Sequence, residues 1–476
     1  MQFQIVAMAS KNLILGVDLG TTSVKVVIVN VDTNEIVGKH SKDTQSNVPS
    51  DQGTDGNKQN VPKIISALNT CVAKLNKDML RQVKKIGICG QMHGVMLWRN
   101  EADAKPWERV ERDGSLIRYD VVQEKVSALY TWQDNRCDAE FIASLPKARS
   151  HLPAYSGYGI TTLFWMAKHK PDKLAKYNCA GTIQDFAVAI LGNLDKPVMS
   201  TQSAASWGYF DCKDHEWNLD SLKSGGFPIE FLPKLAKSGS IVTALTDDWH
   251  TIPKGTPIGV AMGDLQCSVL ATIENPLDAV LNVSTSAQLA FVAQDFTPTN
   301  DEPIVRPIEY FPYFDGKFLA VAASLNGGNA LATFVKMIQQ WCMELGFPVP
   351  QSKVWEKLLD LAINDNAVSE LQIQPTLLGE RFLPESNCCV NNINIGNLGL
   401  GQVFRSLCRG LLQNLHSMMP KDILIKANIS RIVGNGSGLS RNKVLQTEVQ
   451  QLYELPLVFT SGGDAAKGAA MAVKDS

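Results

Sequence analysis

LILGVDLGTTSVKVVIVN, residues 13 to 30, is the stretch on which the fold turns. Two runs rich in branched aliphatic residues, which favour strands, flank a turn carrying a carboxylate, a glycine and three hydroxyls. Asp18, Gly20, Thr21, Thr22 and Ser23 add little to a core, so a turn this polar between two such apolar strands invites a ligand. Gly20 allows close backbone approach, while Thr21, Thr22 and Ser23 supply hydroxyl and N–H donors suited to phosphate oxygens. Asp18 suits a hydrated Mg2+, which keeps several waters and takes one or two carboxylates beside substrate phosphates. An ordinary hairpin turn explains these residues equally well when they are taken alone, so the rest of the chain must decide.

The composition narrows the classes. With 476 residues the chain exceeds one ordinary core and predicts two or three domains. Hydrophobic residues make up 45% and charged residues 19%, which is globular and not disordered composition. A formal net charge of −2 gives no general attraction to nucleic acid or anionic membrane, so any charge that binds phosphate must be local. No apolar run approaches the ~20 residues of a spanning helix, and MQFQIVAMASKN lacks the pattern of a secretory signal. The expectation is a soluble cytoplasmic enzyme or binding protein, with no nucleic-acid or membrane partner. Ten cysteines are too dilute for a disulfide scaffold, and Cys71 and Cys408 fall inside helical apolar patterns as packed thiols. Neither CxxC nor HExxH occurs, so no structural metal site is expected.

In chain order, residues 41 to 60 are polar and predict a surface loop, and Pro62 to Met79 has the spacing of one amphipathic helix. Ile86 to Cys89 predicts a strand ending in GQMHG, where Gln91 and His93 are framed by glycines. Ligands gather at such strand ends, although a lone histidine is more often structural. TWQDNR, residues 131 to 136, combines an apolar face in Trp132 with acceptors and donors in Asp134 and Arg136, which suits a sugar. A helix start with a surface salt bridge is the competing reading. GVAMGD, residues 259 to 264, predicts a buried strand running from Pro257 to Met262 into Asp264 and then a helix. Asp264 is placed to act on a ligand or to serve as a plain helix cap.

Ala279 to Ala293 repeats the opening strand, turn and strand with the acid lost and Ser284, Thr285 and Ser286 kept, which is either an internal duplication or, the repeat being short and degenerate, a chance resemblance. Gly327 and Gly328 precede a helix, where close packing or an anion at its N-terminus is favoured. Residues 382 to 399 predict an irregular loop. GNGSG, residues 434 to 438, is a strand-to-helix turn matching neither a Walker A loop nor GxGxxG. SGGDAAKGAAMAV, residues 461 to 473, predicts a glycine-rich loop and a small-residue helix able to pack tightly on a sheet.

Taken in order, DLGTTSVK at 18 to 25, GQMHG at 90 to 94, TWQDNR at 131 to 136, GVAMGD at 259 to 264, STSA at 284 to 287, NGG at 326 to 328 and GNGSG at 434 to 438 form one pattern. The sequence resembles the FGGY family of carbohydrate kinases, in the actin, sugar-kinase and heat-shock-protein ATPase superfamily, from about residue 13 to 473. The resemblance implies an α/β fold with two duplicated ribonuclease-H-like domains around a central cleft. It divides the chain into residues 13 to 266, with the sugar site, the base and the first phosphate loop, and residues 267 to 476, with the nucleotide site.

By the same resemblance Asp264 is the general base and Asp18 positions Mg2+. Thr21, Thr22 and Ser23 approach the transferred phosphoryl group, Thr285 and its neighbours serve a second phosphate loop, and Gly328 is a further cofactor-binding residue. Gly434, Gly436 and Ser437 line the nucleotide pocket, and Gln91, His93, Trp132, Asp134 and Arg136 fall where family members gather sugar contacts. ATP and Mg2+ are the implied cofactors and a small-molecule sugar the partner; the oligomeric state is left open. The wording of GICGQMHGVMLW, TWQDNRC and GNGSGLSRN is most similar to members acting on the seven-carbon ketose sedoheptulose. Xylulokinase-like action on a pentulose, or a non-catalytic ATP- and sugar-binding protein on the same fold, are the alternatives. Two departures stand out: Thr162 in GITTLFW where the family usually has lysine, and GNG where many relatives have GGG.

Overall fold

The structure is a computed structural model and describes residues 12–112, 116–301, 303–364, 369–460 and 463–476. The signal-peptide reading of residues 1 to 11, and Ser461 and Gly462 of the last glycine-rich loop, lie outside the described residues.

Strand Leu13–Leu19 is buried at every position, as its unbroken apolar run requires of a central strand. It pairs antiparallel with Ser23–Asn30, which pairs antiparallel with Glu35–Asp43. On its other side it runs parallel to Val83–Gly90, and Pro257–Gly259 and Met262–Gly263 in turn run parallel to that strand. The second sheet repeats this arrangement. Asp278–Val283 pairs antiparallel with Ala287–Ala293, which pairs antiparallel with Phe318–Ser324, and Ile308–Pro312 is added at that edge. Asp278–Val283 also runs parallel to Arg431–Asn435, followed by Leu457–Phe459. Both sheets are therefore an antiparallel meander continued by parallel strands, and the internal duplication read in the two Ser/Thr turns is present in the fold.

The sheets share one core. Ile14, Val27 and Val29 of the first belong to the same buried cluster as Val280, Ala290 and Val292 of the second. Cys267 and Val269 of helix Asp264–Thr272 and Ala466, Ala469 and Ala470 of helix Ala465–Ala472 complete it. Small residues make this contact possible: a Cβ on Gly468 would lie 1.8 Å from the Cys267 carbonyl oxygen, and one on Gly16 would lie 1.9 Å from that of Ala466. The tight packing expected of the C-terminal small-residue helix is realised against the first sheet.

Four local expectations change. Residues 382 to 399 are not wholly irregular, since Cys389–Asn391 pairs antiparallel with Gln372–Gln374. The helix expected through Met79 is Val61–Ala73, and a separate turn, Lys77–Leu80, begins at Asn76. The Asn76 side chain accepts the Asp78 and Met79 N–H groups, which starts a new helix instead of continuing the old one. Residues 41 to 60 are not wholly surface loop: Asn47–Val48 and Lys58–Gln59 form a small sheet with Leu129–Tyr130, and Gln59 is buried. Its amide has protein partners in place of water, donating to the Thr21 carbonyl at 2.7 Å and Asn47 Oδ1 at 3.2 Å. The strand expected from Pro257 to Met262 is interrupted at Val260, whose N–H turns aside to the Ser240 carbonyl at 2.9 Å.

Candidate active site

Two aspartates stand at neighbouring strand ends. Asp18 pairs with Cys89 from one side of Val83–Gly90, and Met262, two residues before Asp264, pairs with Cys89 from the other. Strands two positions apart are separated by about 10 Å, close enough for each charge to sense the other. Burial raises the Asp264 carboxyl to about 7, and Asp18 adds to that rise. Burial likewise lifts Asp18 to about 6, with Lys25 opposing the rise and Asp464 adding to it. Asp264 is not the helix cap. That position is Gly263, while Asp264 is the first helical residue and its Oδ1 accepts the Leu265 N–H at 2.8 Å.

Lys25, directly across the hairpin from Asp18, places Nζ 3.4 Å from Asp18 Oδ2. Asp18 Oδ1 is buried with no hydrogen-bond partner. An orphaned, desolvated carboxylate oxygen beside a second acid fits a hard divalent cation. Among the described residues no group of three or more His, Cys, Asp or Glu side chains could hold a metal ion. That is compatible with Mg2+, which takes one or two carboxylates and completes its shell with water and phosphate.

The two hydroxyl turns lie at equivalent hairpin ends. In the first, the Gly20 N–H donates to the Ser23 carbonyl at 3.1 Å, and Thr22 is exposed at the tip. The Thr21 hydroxyl accepts from Trp132 Nε1 at 3.1 Å, which ties this loop to TWQDNR. In the second, Ser284 and Thr285 are exposed and their carbonyls accept the Gly328 and Asn329 N–H groups at 2.8 and 3.0 Å. Gly328 is thus held against the loop and its N–H is occupied; a Cβ there would lie 2.3 Å from the Ser284 oxygen. Gly434 ends in contact with the Phe459 ring, Gly436 has φ +86 beside Val283, and Ser437 is exposed at the start of the next helical turn. Asn435, the residue that departs from GGG, donates to Ser268 Oγ at 3.0 Å and the Gly463 carbonyl at 3.3 Å. The departure therefore links the turn to helix Asp264–Thr272.

The residues expected at the sugar separate into two groups. Gln91, His93 and Trp132 gather near the first loop. Gln91 Nε2 donates to Gln59 Oε1 at 3.0 Å, and Gln91 Oε1 is buried without a partner. His93 has φ +71, with the Gly94 N–H bonded back to the Met92 carbonyl at 2.8 Å, a conformation uncommon outside glycine. Its Nδ1 lies 2.8 Å from the Ser206 carbonyl, which assigns that nitrogen the proton and leaves Nε2 as an acceptor. Burial, with Arg381 adding, lowers its pKa to about 3, so the ring is neutral.

Asp134 and Arg136 instead face each other. Arg136 Nε and Nη2 donate to the two Asp134 oxygens at 2.6 and 2.8 Å, and Asp134 Oδ2 also accepts the Asn57 N–H at 2.9 Å. The guanidinium lies 4.4 Å from the Tyr130 ring centroid and 5.1 Å from that of Trp165. A bidentate pair so enclosed has little capacity left for a ligand; it fixes the turn that presents Trp132.

Some nearby residues were not singled out from sequence. Lys25 and Asp464 act on Asp18, and Gln59 joins Gln91 to Thr21. Tyr158 stacks on His93 with centroids 4.4 Å apart, and Glu309 and Arg381 approach from the second half of the chain. Lys25 could have been found from its place in DLGTTSVK; the rest carry no local signal.

The profile of the FGGY family of carbohydrate kinases, N-terminal domain, matches residues 13–110 and 113–271. A human (Homo sapiens) sedoheptulokinase is 43% identical over 473 residues, covering 98% of this chain and 98% of that protein. A xylulose kinase of Bacillus subtilis (strain 168) is 21% identical over 480 residues, covering 96% and 87% respectively. Among solved structures, the xylulose kinase from Rhodospirillum rubrum aligns with TM-score 0.76 at 17% identity, covering 97% of this chain and 89% of that one; this supports the fold. With paired strand-end aspartates, duplicated sheets and a profile match over more than half its length, the chain belongs to the FGGY family of carbohydrate kinases.

Proposed function

We propose that this kinase transfers the terminal phosphoryl group of ATP to sedoheptulose, giving sedoheptulose 7-phosphate. The chemistry rests on Asp264, a half-buried residue whose desolvated carboxyl has a pKa of about 7 beside Asp18. As the sugar hydroxyl oxygen bonds to the γ-phosphorus, its proton passes to Asp264, and the bond from that phosphorus to the bridging oxygen breaks to release ADP. Thr21, Thr22 and Ser23 orient the phosphoryl group with hydroxyl and N–H donors. Thr285 lies on the second phosphate loop that Gly328 supports, and Gly434, Gly436 and Ser437 border the nucleotide. Gln91, His93 and Trp132 hold the sugar, with Asp134 and Arg136 fixing the turn beneath it. Asp18 would hold Mg2+, which when bound supplies charge neutralisation at the phosphates. Residues 13 to 266 form the sugar and base domain and residues 267 to 476 the nucleotide domain, with helix Ala465–Ala472 returning to tie them. A cytoplasmic setting fits these soluble substrates.

The identity of the sugar rests on the similarity to the human sedoheptulokinase, twice that to the bacterial xylulose kinase. ADP release measured over a ketose panel tests it. The expected result is the highest kcat/KM on sedoheptulose. Preference for xylulose would replace the heptulose with a pentulose, and ATP binding without ADP release on any sugar would leave a non-catalytic binding protein.

A further inference from the structure

The wall opposite His93 and Trp132 is built from the second half of the chain. Glu309 lies on edge strand Ile308–Pro312, and Arg381 follows the turn that ends strand Gln372–Gln374. That turn is pinned by its neighbour Glu380, a buried residue whose Oε1 accepts from Ser324 Oγ at 2.6 Å and Asn414 Nδ2 at 2.7 Å, and whose Oε2 accepts the Leu325 N–H at 3.0 Å. So anchored, Arg381 reaches across, with its guanidinium carbon 5.8 Å from the ring centroids of both Trp132 and Tyr158. Among the described residues no carboxylate comes within ion-pair distance of it, so the cation has no committed partner. Glu309 and Tyr155 sit together beside it.

Two polar atoms here are out of solvent and have no partner: Tyr158 Oη, on a residue 1% exposed, and Glu309 Oε1, whose carboxyl acts on that phenol. Buried polar groups are ordinarily satisfied, so a pair of orphans marks missing hydrogen-bonding atoms. Rings and unspent polar groups side by side suit a polyol, whose C–H faces pack on aromatics while its hydroxyls both donate and accept. The wall also extends away from the base. Gln266, two residues past Asp264, donates to the Pro312 carbonyl at 3.3 Å, and Glu309 lies three residues, about 10 Å, back along that strand.

We propose that Glu309 and Arg381, with Tyr155 and Tyr158, form a subsite that closes over the end of the ketose remote from the phosphorylated hydroxyl and thereby selects its length. The proposal rests on the reading of His93 and Trp132 as sugar contacts. Glu309 accepts from sugar hydroxyls, Tyr158 and Arg381 donate to them, and the trailing carbons of a longer ketose fill space that a shorter one leaves empty. Burial raises the Glu309 carboxyl to about 7, and Arg381 and Tyr155 hold it down towards the ionised, accepting form.

The test is steady-state kinetics of Glu309→Gln, Arg381→Ala and Tyr158→Phe on sedoheptulose and xylulose, with KM for ATP measured alongside. Tyr158→Phe removes one hydroxyl with minimal change in packing, and so separates recognition from folding. Each variant is expected to raise KM for sedoheptulose at least tenfold and leave KM for ATP within twofold. The ratio of kcat/KM for sedoheptulose over xylulose should fall at least fivefold. Unchanged sugar KM and unchanged ratio in all three variants would overturn the subsite, as would equal losses on both sugars. If the unaltered enzyme prefers xylulose, the substrate assignment and the length-selecting subsite both fail. If it prefers sedoheptulose and the variants discriminate as it does, only the subsite fails.

Discussion

As the proposed base, Asp264 meets two opposing demands: a base must be ionised to accept a proton, and a desolvated site resists that ionisation. The compromise is a carboxyl with a pKa of about 7, where proton affinity and availability at neutral pH are both substantial. Asp264→Asn should therefore bind ATP normally yet lose ~10²- to 10⁴-fold in turnover, the usual contribution of a general base. Near-normal turnover would remove Asp264 from the chemistry. In the unaltered enzyme kcat/KM should rise with pH to a plateau above about 7, and in the variant the part of this limb near 7 should be lost, leaving the lower limb that Asp18 sets at about 6. Stability should move the other way. Between the ordinary 3.8 and about 7 the folded state holds a proton that the unfolded chain has lost, so Asp264 makes the fold less stable as pH rises through that window. Thermal denaturation should show Asp264→Asn gaining on the unaltered protein from pH 4 to pH 8. Asp264 was legible because a carboxylate at a strand end behind glycine is a local pattern. Glu309, Arg381 and Gln59 were not, since each gains its place only from contacts made far along the chain. Asp134 and Arg136 show another limit: spacing reveals a carboxylate near a guanidinium, but not that the two enclose each other.

The elements repeat the lesson at larger size. Long apolar runs gave the central strands and the main helices closely, because burial on both faces or along one stripe leaves a periodic trace. Boundaries set by a single side-chain bond left none, such as the Asn76 cap that divides the expected helix or the Val260 N–H that interrupts a strand. Helix Ala465–Ala472 is the element with most riding on one small residue. Gly468 lets its backbone meet that of helix Asp264–Thr272, and the atom that blocks a side chain there is a carbonyl oxygen, which cannot swing aside as a side chain could. Gly468→Ala should therefore force the helices apart and cost at least the ~1–3 kcal/mol typical of overpacking, read as a lowered Tm. Because Asp264 begins the displaced helix, kcat should fall as well, without any change at the proposed sugar contacts. A variant with unaltered Tm and kcat would show that the contact yields more easily than its geometry implies.

For the molecule as a whole, the shared core sets the terms of both stability and motion. The inner faces meet in one core: Ile14, Val27 and Val29 on one side and Val280, Ala290 and Val292 on the other belong to the same buried cluster, which also takes in residues of the two helices. Unfolding either half would strip the other of its cover and expose both apolar faces to water. The helices that join the halves also bring Asp264 and Asp464 beside Asp18, so a closing movement pivoting on them would leave the acids together and swing Glu309 and Arg381 relative to His93 and Trp132. Calorimetry should show one unfolding transition despite the two sheets. Ligands bridging the halves should raise that transition as a unit, with stabilisation of about 2.7 kcal/mol at a hundredfold excess over Kd for each ligand that binds only the folded state. Two resolved transitions, with ATP shifting one and sedoheptulose the other, would mean that the helices link two independently stable units and that the core is shared in contact but not in energy.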